Sequence, residues 1–338
     1  MRKTYTFDDV LLVPKYSGLE SRSQVDLQSS LDDDKTFRLP VMSSPMDTVT
    51  ETSMAVAMHS AGGLGIIHRY NTIEEQSALV GKSYYAGVDN VAAAVGMTGD
   101  YMQRSEQLVK AGASILCVDV AHGDHVMMRD CLFNLKSNFD AHIMAGNVAT
   151  LDAFERLSDW GADSIRVGIG GGSICSTRIV TGHGIPTLQS VFDISNTSYD
   201  TKIIADGGIK TTGDMVKALA AGADFVMVGS MLAGTRQTPG QVFTNVKGES
   251  YKAYRGMASA QAQTDWRGKS STPEGVSTTI PFRGDVFDII KDIDGGIRSG
   301  LSYTGASNLE QLRAKCEFIV QTQAGQHESN THILWRAR

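Results

Sequence analysis

Short apolar runs punctuate the chain at intervals of roughly one helix plus one strand: "LPVMSS", "GLGIIH", "AAAVGM", "ILCVDV", "HIMAG", "SIRVG", "KIIADG" and "DFVMVG". Between them lie amphipathic stretches such as "YMQRSEQLVKAG", "LDAFERLSDWG" and "TGDMVKALAAG", spaced as crossover helices. Three junctions repeat nearly one phrase, "KAGASILCVDV", "DWGADSIRVGI" and "AAGADFVMVGS", in which a helix stops on glycine and a strand begins at once. Alternating strands and helices predict a parallel sheet. Eight such units predict a closed (β/α)8 barrel rather than an open doubly wound sheet, which more often has fewer strands and an early G-x-G-x-x-G.

The residues that follow the runs are small or polar: Asp47, Asp119, Asn147, Cys175, Asp206 and Ser230. In a barrel of this kind the C-terminal strand ends form the active-site face, so these positions are expected in one cleft. A phosphate is expected near the last two strands, where "ADGG" and "VGS" supply backbone N–H groups and a hydroxyl. From about residue 235 to 285 a polar, glycine-containing insertion interrupts the pattern, and its Tyr254, Trp266 and Pro273 suit a lid that orders over a ligand.

Composition narrows the partner. The 338-residue chain is 41% hydrophobic and carries a formal net charge of -6, with its 31 Lys and Arg scattered rather than clustered. No nucleic-acid footprint or basic membrane surface follows from that distribution, and a small-molecule ligand is expected. The opening "MRKTYTFDDVLLVPKYSG" has no signal-peptide core and no run reaches membrane-spanning length, so the expected setting is soluble and cytoplasmic. Cys117, Cys131, Cys175 and Cys316 form no C-x-x-C pair, and the histidines, His122 and His125 included, show no metal-ligand spacing. No transition metal is expected.

"GIGGGSIC", residues 168 to 175, carries the sharpest chemistry. It is not a dinucleotide fingerprint, because the third glycine and the downstream acid are misplaced and the loop comes in the sixth unit. Its glycines let backbone groups approach a ligand or ion while presenting a thiol, which such surroundings can activate as a nucleophile. From the residues alone Cys175 is either that nucleophile or a buried structural thiol. Asp206 and Asp119 are either diol acceptors or turn formers.

Taken together, "SSPMDTVTE", "AGNVAT", "GIGGGSICSTR", "IADGGI", "VGSMLAGT", "YRGM" and "GGIRSG" resemble the inosine-5'-monophosphate dehydrogenase and guanosine-5'-monophosphate reductase family, over residues 5 to 334. The resemblance implies a (β/α)8 barrel, a homotetramer or octamer, and a covalent purine adduct on Cys175. It implies that Thr177, with Glu274, positions or deprotonates the second reactant. Ser173, Asp206, Gly208, Gly229 and Ser230 would hold the ribose phosphate, with Tyr254 adding a phosphate contact. Ser44, Met46, Gly256, Met257 and Ala258 would line the rest of the purine nucleoside monophosphate site. Asp119, Asn147, Gly168 and Gly170 would lie toward the nicotinamide cofactor. A potassium ion would be held by Gly170, Gly172 and Cys175, with Glu328, Ser329 and Asn330 from a neighbouring subunit.

Three departures bear on the reaction. Gly171 stands where the family usually has Pro or Ser, which would loosen the loop. The regulatory CBS-type pair that most dehydrogenases insert after the second strand is absent, leaving a single barrel over residues 1 to 338. The lid between "YRGM" and "PEG" is short and lacks the Arg-Tyr pair with which the dehydrogenases activate water, offering Trp266-Arg267 and Glu274 instead. A short lid fits a reductase taking GMP to IMP and ammonia with NADPH, whereas "SSPMDTVTE", "YRGM" and the "ESNTH" tail look more like dehydrogenases taking IMP to XMP with NAD. The reductase is the reading adopted, with the dehydrogenase as its alternative and a non-catalytic purine nucleotide sensor as a third class.

Overall fold

The computed structural model describes residues 1–329. All eight apolar runs are strands: β1 (Val41–Ser43), β2 (Leu64–Ile67), β3 (Val91–Val95), β4 (Ala113–Asp119), β5 (His142–Val148), β6 (Ser164–Val167), β7 (Lys202–Asp206) and β8 (Phe225–Val228). Each pairs in parallel with its sequence neighbours, and β8 pairs with β1, closing a (β/α)8 barrel.

Period-two alternation sorts the strand side chains into two cores. Val41, Ile67, Val118, Ile165 and Val226 join the layer beneath the helices, while Met42, Ile66, Cys117, Met144 and Met227 fill the lumen. By the same alternation Arg166, next to outward Ile165, belongs to the lumen side of β6.

The crossover helices include α1 (Thr52–Ala61), α2 (Ile73–Tyr85), α3 (Tyr101–Lys110), α4 (Val126–Asn138), α5 (Leu151–Asp159), α6 (Thr177–Thr181), α7 (Thr187–Ile194) and α8 (Thr212–Ala220). Capping boxes begin α2 (Thr72 with Glu75) and α8 (Thr211 with Asp214), satisfying backbone N–H groups that the first turn leaves without partners. The repeated junction glycines Gly112, Gly161 and Gly222 have φ of 110°, 98° and 121°, so the helix-to-strand reversal depends on a residue without Cβ. Among the described residues no helix is long and apolar enough to cross a membrane.

The bottom of the barrel is closed by a hairpin, Ser29–Ser30 paired with Thr36–Phe37. Its Leu31 and Phe37 enter the lumen core, where Phe37 meets Phe225 edge-on with ring centroids 5.8 Å apart. Phe225→Ala is expected to destabilise the fold by about 3–5 kcal/mol, the usual range for deleting a buried ring. A lowered urea midpoint checks this, and an unchanged midpoint would contradict it.

The 235–285 insertion has its own secondary structure rather than being an extended polar loop. β9 (Phe243–Thr244), β10 (Ser250–Arg255) and β11 (Ser277–Pro281) form an antiparallel sheet, with α9 (Ala260–Arg267) between β10 and β11. In "SYKAYR" Lys252 and Tyr254 point inward and Ala253 is exposed, an alternation that polar composition obscures. Buried Lys252 donates from Nζ to the carbonyls of Thr235 (3.1 Å) and Thr238 (2.5 Å), fastening this sheet to the segment after β8. The next helix, α10 (Val286–Tyr303), returns to the barrel wall beside α8.

Candidate active site

A cleft of about 660 Å³ opens at the C-terminal ends of the strands. It brings together Cys175, Thr177 and Glu274, and with them Ser44, Met46, Ser173, Asp206, Gly208, Gly229, Ser230 and Tyr254. Gly256, Met257 and Ala258 of the lid line it, as do Asp119, Asn147, Gly168, Gly170 and Gly172. Glu328 lies at the end of a short helix, Gln323–Glu328, and neither it nor Ser329 lines the cleft of its own chain. Asn330 is outside the described residues.

The glycine loop is packed tightly against the end of β7. A Cβ at Gly168 would collide with the Asp206 carbonyl, and one at Gly171 would stand 2.8 Å from Thr187 Oγ1. Glycine at 171 therefore serves close approach to the 207–208 turn, a different consequence from the loosening expected of it.

Lid and loop are joined through backbone. Ser176 N–H donates to the Glu274 carbonyl (2.9 Å), Val276 N–H to that of Ile174 (3.0 Å), and Glu274 N–H to that of Ala258 (2.9 Å). This ladder brings the Glu274 carboxylate to Thr177. Cys175 Sγ–H donates to Thr177 Oγ1 (3.2 Å), and Thr177 Oγ1–H donates to Glu274 Oε2 (2.8 Å). The donors run one way, from thiol through hydroxyl to carboxylate, which is the connectivity of a proton relay. The other thiols lack such a setting: burial pushes Cys117 and Cys131 up to about 12 and raises Cys316.

Tyr254 is buried, and its hydroxyl lies 3.3 Å from Ser173 Oγ. Burial raises its pKa against the opposing hydrogen bonds of Ser173 and Ser230, so it remains a neutral phenol at physiological pH. Together with Ser173, Ser230 and the backbone of Gly208 and Gly229, it makes a neutral, donor-rich pocket that suits a phosphate. Tyr254→Phe is expected to raise the nucleotide KM about tenfold with little change in kcat, since it removes one hydrogen bond to a charged group. Steady-state kinetics check this, and an unchanged KM would remove Tyr254 from the phosphate site.

Asp206 is held by Arg166, which the strand-end pattern does not single out, and by Asn147, which was expected toward the cofactor. Arg166 donates to its Oδ2 from Nε (3.2 Å) and Nη2 (2.8 Å), and Asn147 Nδ2 donates to the same oxygen (2.8 Å). Arg166 also reaches Asp119 Oδ1 from Nη1 at 2.5 Å. Burial acts against the guanidinium, but Asp206 and Asp119 outweigh it and raise its pKa well above the usual value, so it stays charged. The available signal was a charge inside the apolar run "SIRVG" at a lumen-facing position. Asp47 was noted as a strand-end residue, and it pairs with Arg255 (2.6 Å), which in turn reaches Asp265 on α9. That pairing joins β1 to the lid across more than two hundred residues of sequence.

Beside the main cleft lies a second cavity of about 430 Å³, sharing Arg69, Val120 and Trp266 with it and lined also by Thr98 and Arg104. Trp266 of α9 covers it, with the Tyr70 ring edge-on at 6.1 Å and the Arg104 guanidinium 5.7 Å from the indole.

Comparison with known proteins agrees with this geometry. The profile of the "IMP dehydrogenase / GMP reductase domain" matches residues 4–332. An inosine-5'-monophosphate dehydrogenase of Nitrosopumilus maritimus is 36% identical over 465 residues, covering 97% of this chain and 98% of that protein. One from Cryptosporidium parvum is 34% identical, covering 98% of this chain and 95% of that protein. A crystal structure of a GMP reductase variant from Trypanosoma brucei in complex with guanosine 5'-monophosphate superposes with a TM-score of 0.92, 29% identity and 98% coverage of both chains. With its barrel closed, its glycine loop and lid meeting at one thiol, and the domain profile spanning nearly its whole length, this chain belongs to the IMP dehydrogenase / GMP reductase family.

Proposed function

We propose that this chain is a purine nucleoside monophosphate oxidoreductase that forms a covalent bond from Cys175 to purine C2, and that it converts GMP to IMP and ammonia with NADPH. The observation that carries the reading is the Cys175–Thr177–Glu274 relay across the contact between glycine loop and lid. The thiol gives up its proton along this path and Sγ bonds to C2. The same pair then returns protons to the 2-amino group, which leaves as ammonia. Bound NADPH supplies the hydride that C2 receives before the Sγ–C2 bond breaks and frees the thiolate.

The short lid favours this direction. Arg255 of the lid is committed to Asp47 and Asp265 and is not placed as a base for water. Ser173, Gly208, Gly229, Ser230 and Tyr254 would take the phosphate and Asp206 the ribose, while Ser44, Met46, Met257 and Ala258 flank the base. The residues present fit a dinucleotide: Asp119 and Asn147 would meet one end, and Arg69 and Trp266 would face its other half across the second cavity, where Arg104 is already paired with Asp100.

A second reading, IMP oxidation to XMP with NAD, draws on the dehydrogenases that are 36% and 34% identical. The two separate in one experiment. Ultraviolet absorbance should follow NADPH oxidation with GMP faster than NAD reduction with IMP, and XMP formation without GMP-dependent NADPH oxidation would overturn the reductase.

The proposal extends to a single catalytic barrel in a homotetramer or octamer, in the cytoplasm where purine nucleotides circulate. A potassium ion would take carbonyl oxygens of Gly170, Gly172 and Cys175, the closely approached turn that glycine permits, with Glu328, Ser329 and Asn330 from a neighbour. Activity is then expected to be higher in potassium than in sodium and to require the oligomer. Equal rates in both salts, or a monomer by light scattering, would contradict this.

A further inference from the structure

We propose that Arg166 is a positioning residue that serves as the shared counter-ion of both halves of the cleft, holding Asp206 for the nucleotide and Asp119 for the dinucleotide with opposite edges of one guanidinium. The inference rests on the purine-nucleotide reading for what Asp206 and Asp119 bind. Three strands of the lumen meet here, β6 and β7 side by side and β4 one strand away across β5. Arg166 lies near the end of β6, Asp119 ends β4 and Asp206 ends β7. The side chains are 8%, 14% and 14% exposed, so solvent compensates little for a lost partner.

The division of donors is unequal. Asp206 takes Nε and Nη2 on Oδ2, together with Asn147 Nδ2, and among the described residues no hydrogen bond is made to Oδ1. Asp119 takes Nη1 on Oδ1 and has a second cation nearby, Arg69, whose Nε is 3.9 Å from Oδ2. Among the described residues Arg166 is the only ion-pair partner of Asp206. The remaining titratable neighbours are Cys117, 3.6 Å from Arg166 Nη1, and Tyr254, whose phenol is raised mainly by burial and in part by Asp206; both are uncharged.

Without the guanidinium, the two buried carboxylates that it had bridged would have only Arg69 between them, and one would retain a proton. Asp119 keeps Arg69, so the proton falls on Asp206. A protonated Asp206 cannot accept from two ribose hydroxyls. Nucleotide affinity would then depend on pH and on a residue of the other subsite. A purely structural arginine would show neither dependence.

The test is IMP binding by calorimetry and thermal melting, for the wild type, Arg166→Met, and Arg166→Met with Asp119→Asn, at several pH values between about 6 and 8.5. Relative to wild type at each pH, Arg166→Met should bind IMP at least about tenfold more weakly at the acid end and regain affinity as pH rises. Removing the rival charge in the double variant should restore most of the affinity and flatten the pH dependence. Equal losses in both variants, independent of pH, would overturn the inference. If Arg166→Met does not fold, the double variant must fold, and failure of both overturns it too.

A wild type that binds neither IMP nor GMP would defeat the purine-nucleotide reading, while the melting arm still decides the Arg166 inference. The carboxylate that retains a proton has a raised folded-state pKa, so its contribution is present at low pH and lost as pH rises. The melting deficit of Arg166→Met should therefore widen with pH, and Asp119→Asn should narrow it. A constant deficit in both variants would overturn the inference.

Discussion

Cys175→Ala is expected to lower turnover by at least about four orders of magnitude while leaving nucleotide affinity within a few-fold of wild type, because it deletes the nucleophile and little else. Cys175 is only partly buried and its Sγ makes one hydrogen bond, to Thr177, so its removal opens no large cavity. Cys117 cannot substitute, since it is enclosed in the barrel lumen and burial pushes its thiol up to about 12. Rapid-quench kinetics with calorimetric nucleotide binding check both halves of the expectation. A variant turning over within tenfold of wild type would remove covalent catalysis from the account.

The second large effect concerns Glu274. Glu274→Gln keeps the shape of the Thr177 contact but cannot take or give the relayed proton, so expulsion of ammonia should slow by about two to four orders of magnitude, the usual contribution of a general acid or base. Hydride transfer between the Cys175 adduct and the dinucleotide moves no proton through that pair, so the reaction of bound IMP, which shares thiol deprotonation but not ammonia expulsion, should change far less. Single-turnover ammonia release from GMP, compared with NADP reduction by bound IMP, separates the steps, because with GMP the hydride transfer waits on ammonia release. Equal slowing of both would make Glu274 a structural link of the lid, a role its backbone already fills through Ser176 and Ala258.

The barrel was legible because its strands are short, largely apolar runs separated by amphipathic stretches, and because three junctions repeat a glycine stop that the backbone requires. The strand-end rule then placed Asp119, Asn147, Cys175, Asp206 and Ser230 in one cleft. Arg166 escaped that rule because it sits inside a run counted as apolar, and its role depends on partners from two other strands. The Asp47–Arg255 pair joins segments that no local pattern connects. The lid sheet was hidden for a different reason: its strands are rich in Ser, Thr and Lys, and Lys252 is buried only because the carbonyls of Thr235 and Thr238 receive its ammonium.

Covalent attachment is the central claim, and mass spectrometry of acid-quenched enzyme during turnover tests it most directly. Incubated with GMP and NADPH, or with IMP and NAD, the protein should gain the mass of one purine nucleotide, and peptide mapping should place it on Cys175. Sustained turnover with Cys175 unmodified at every quench time, or nucleotide mapped instead to Cys117, Cys131 or Cys316, would contradict the account.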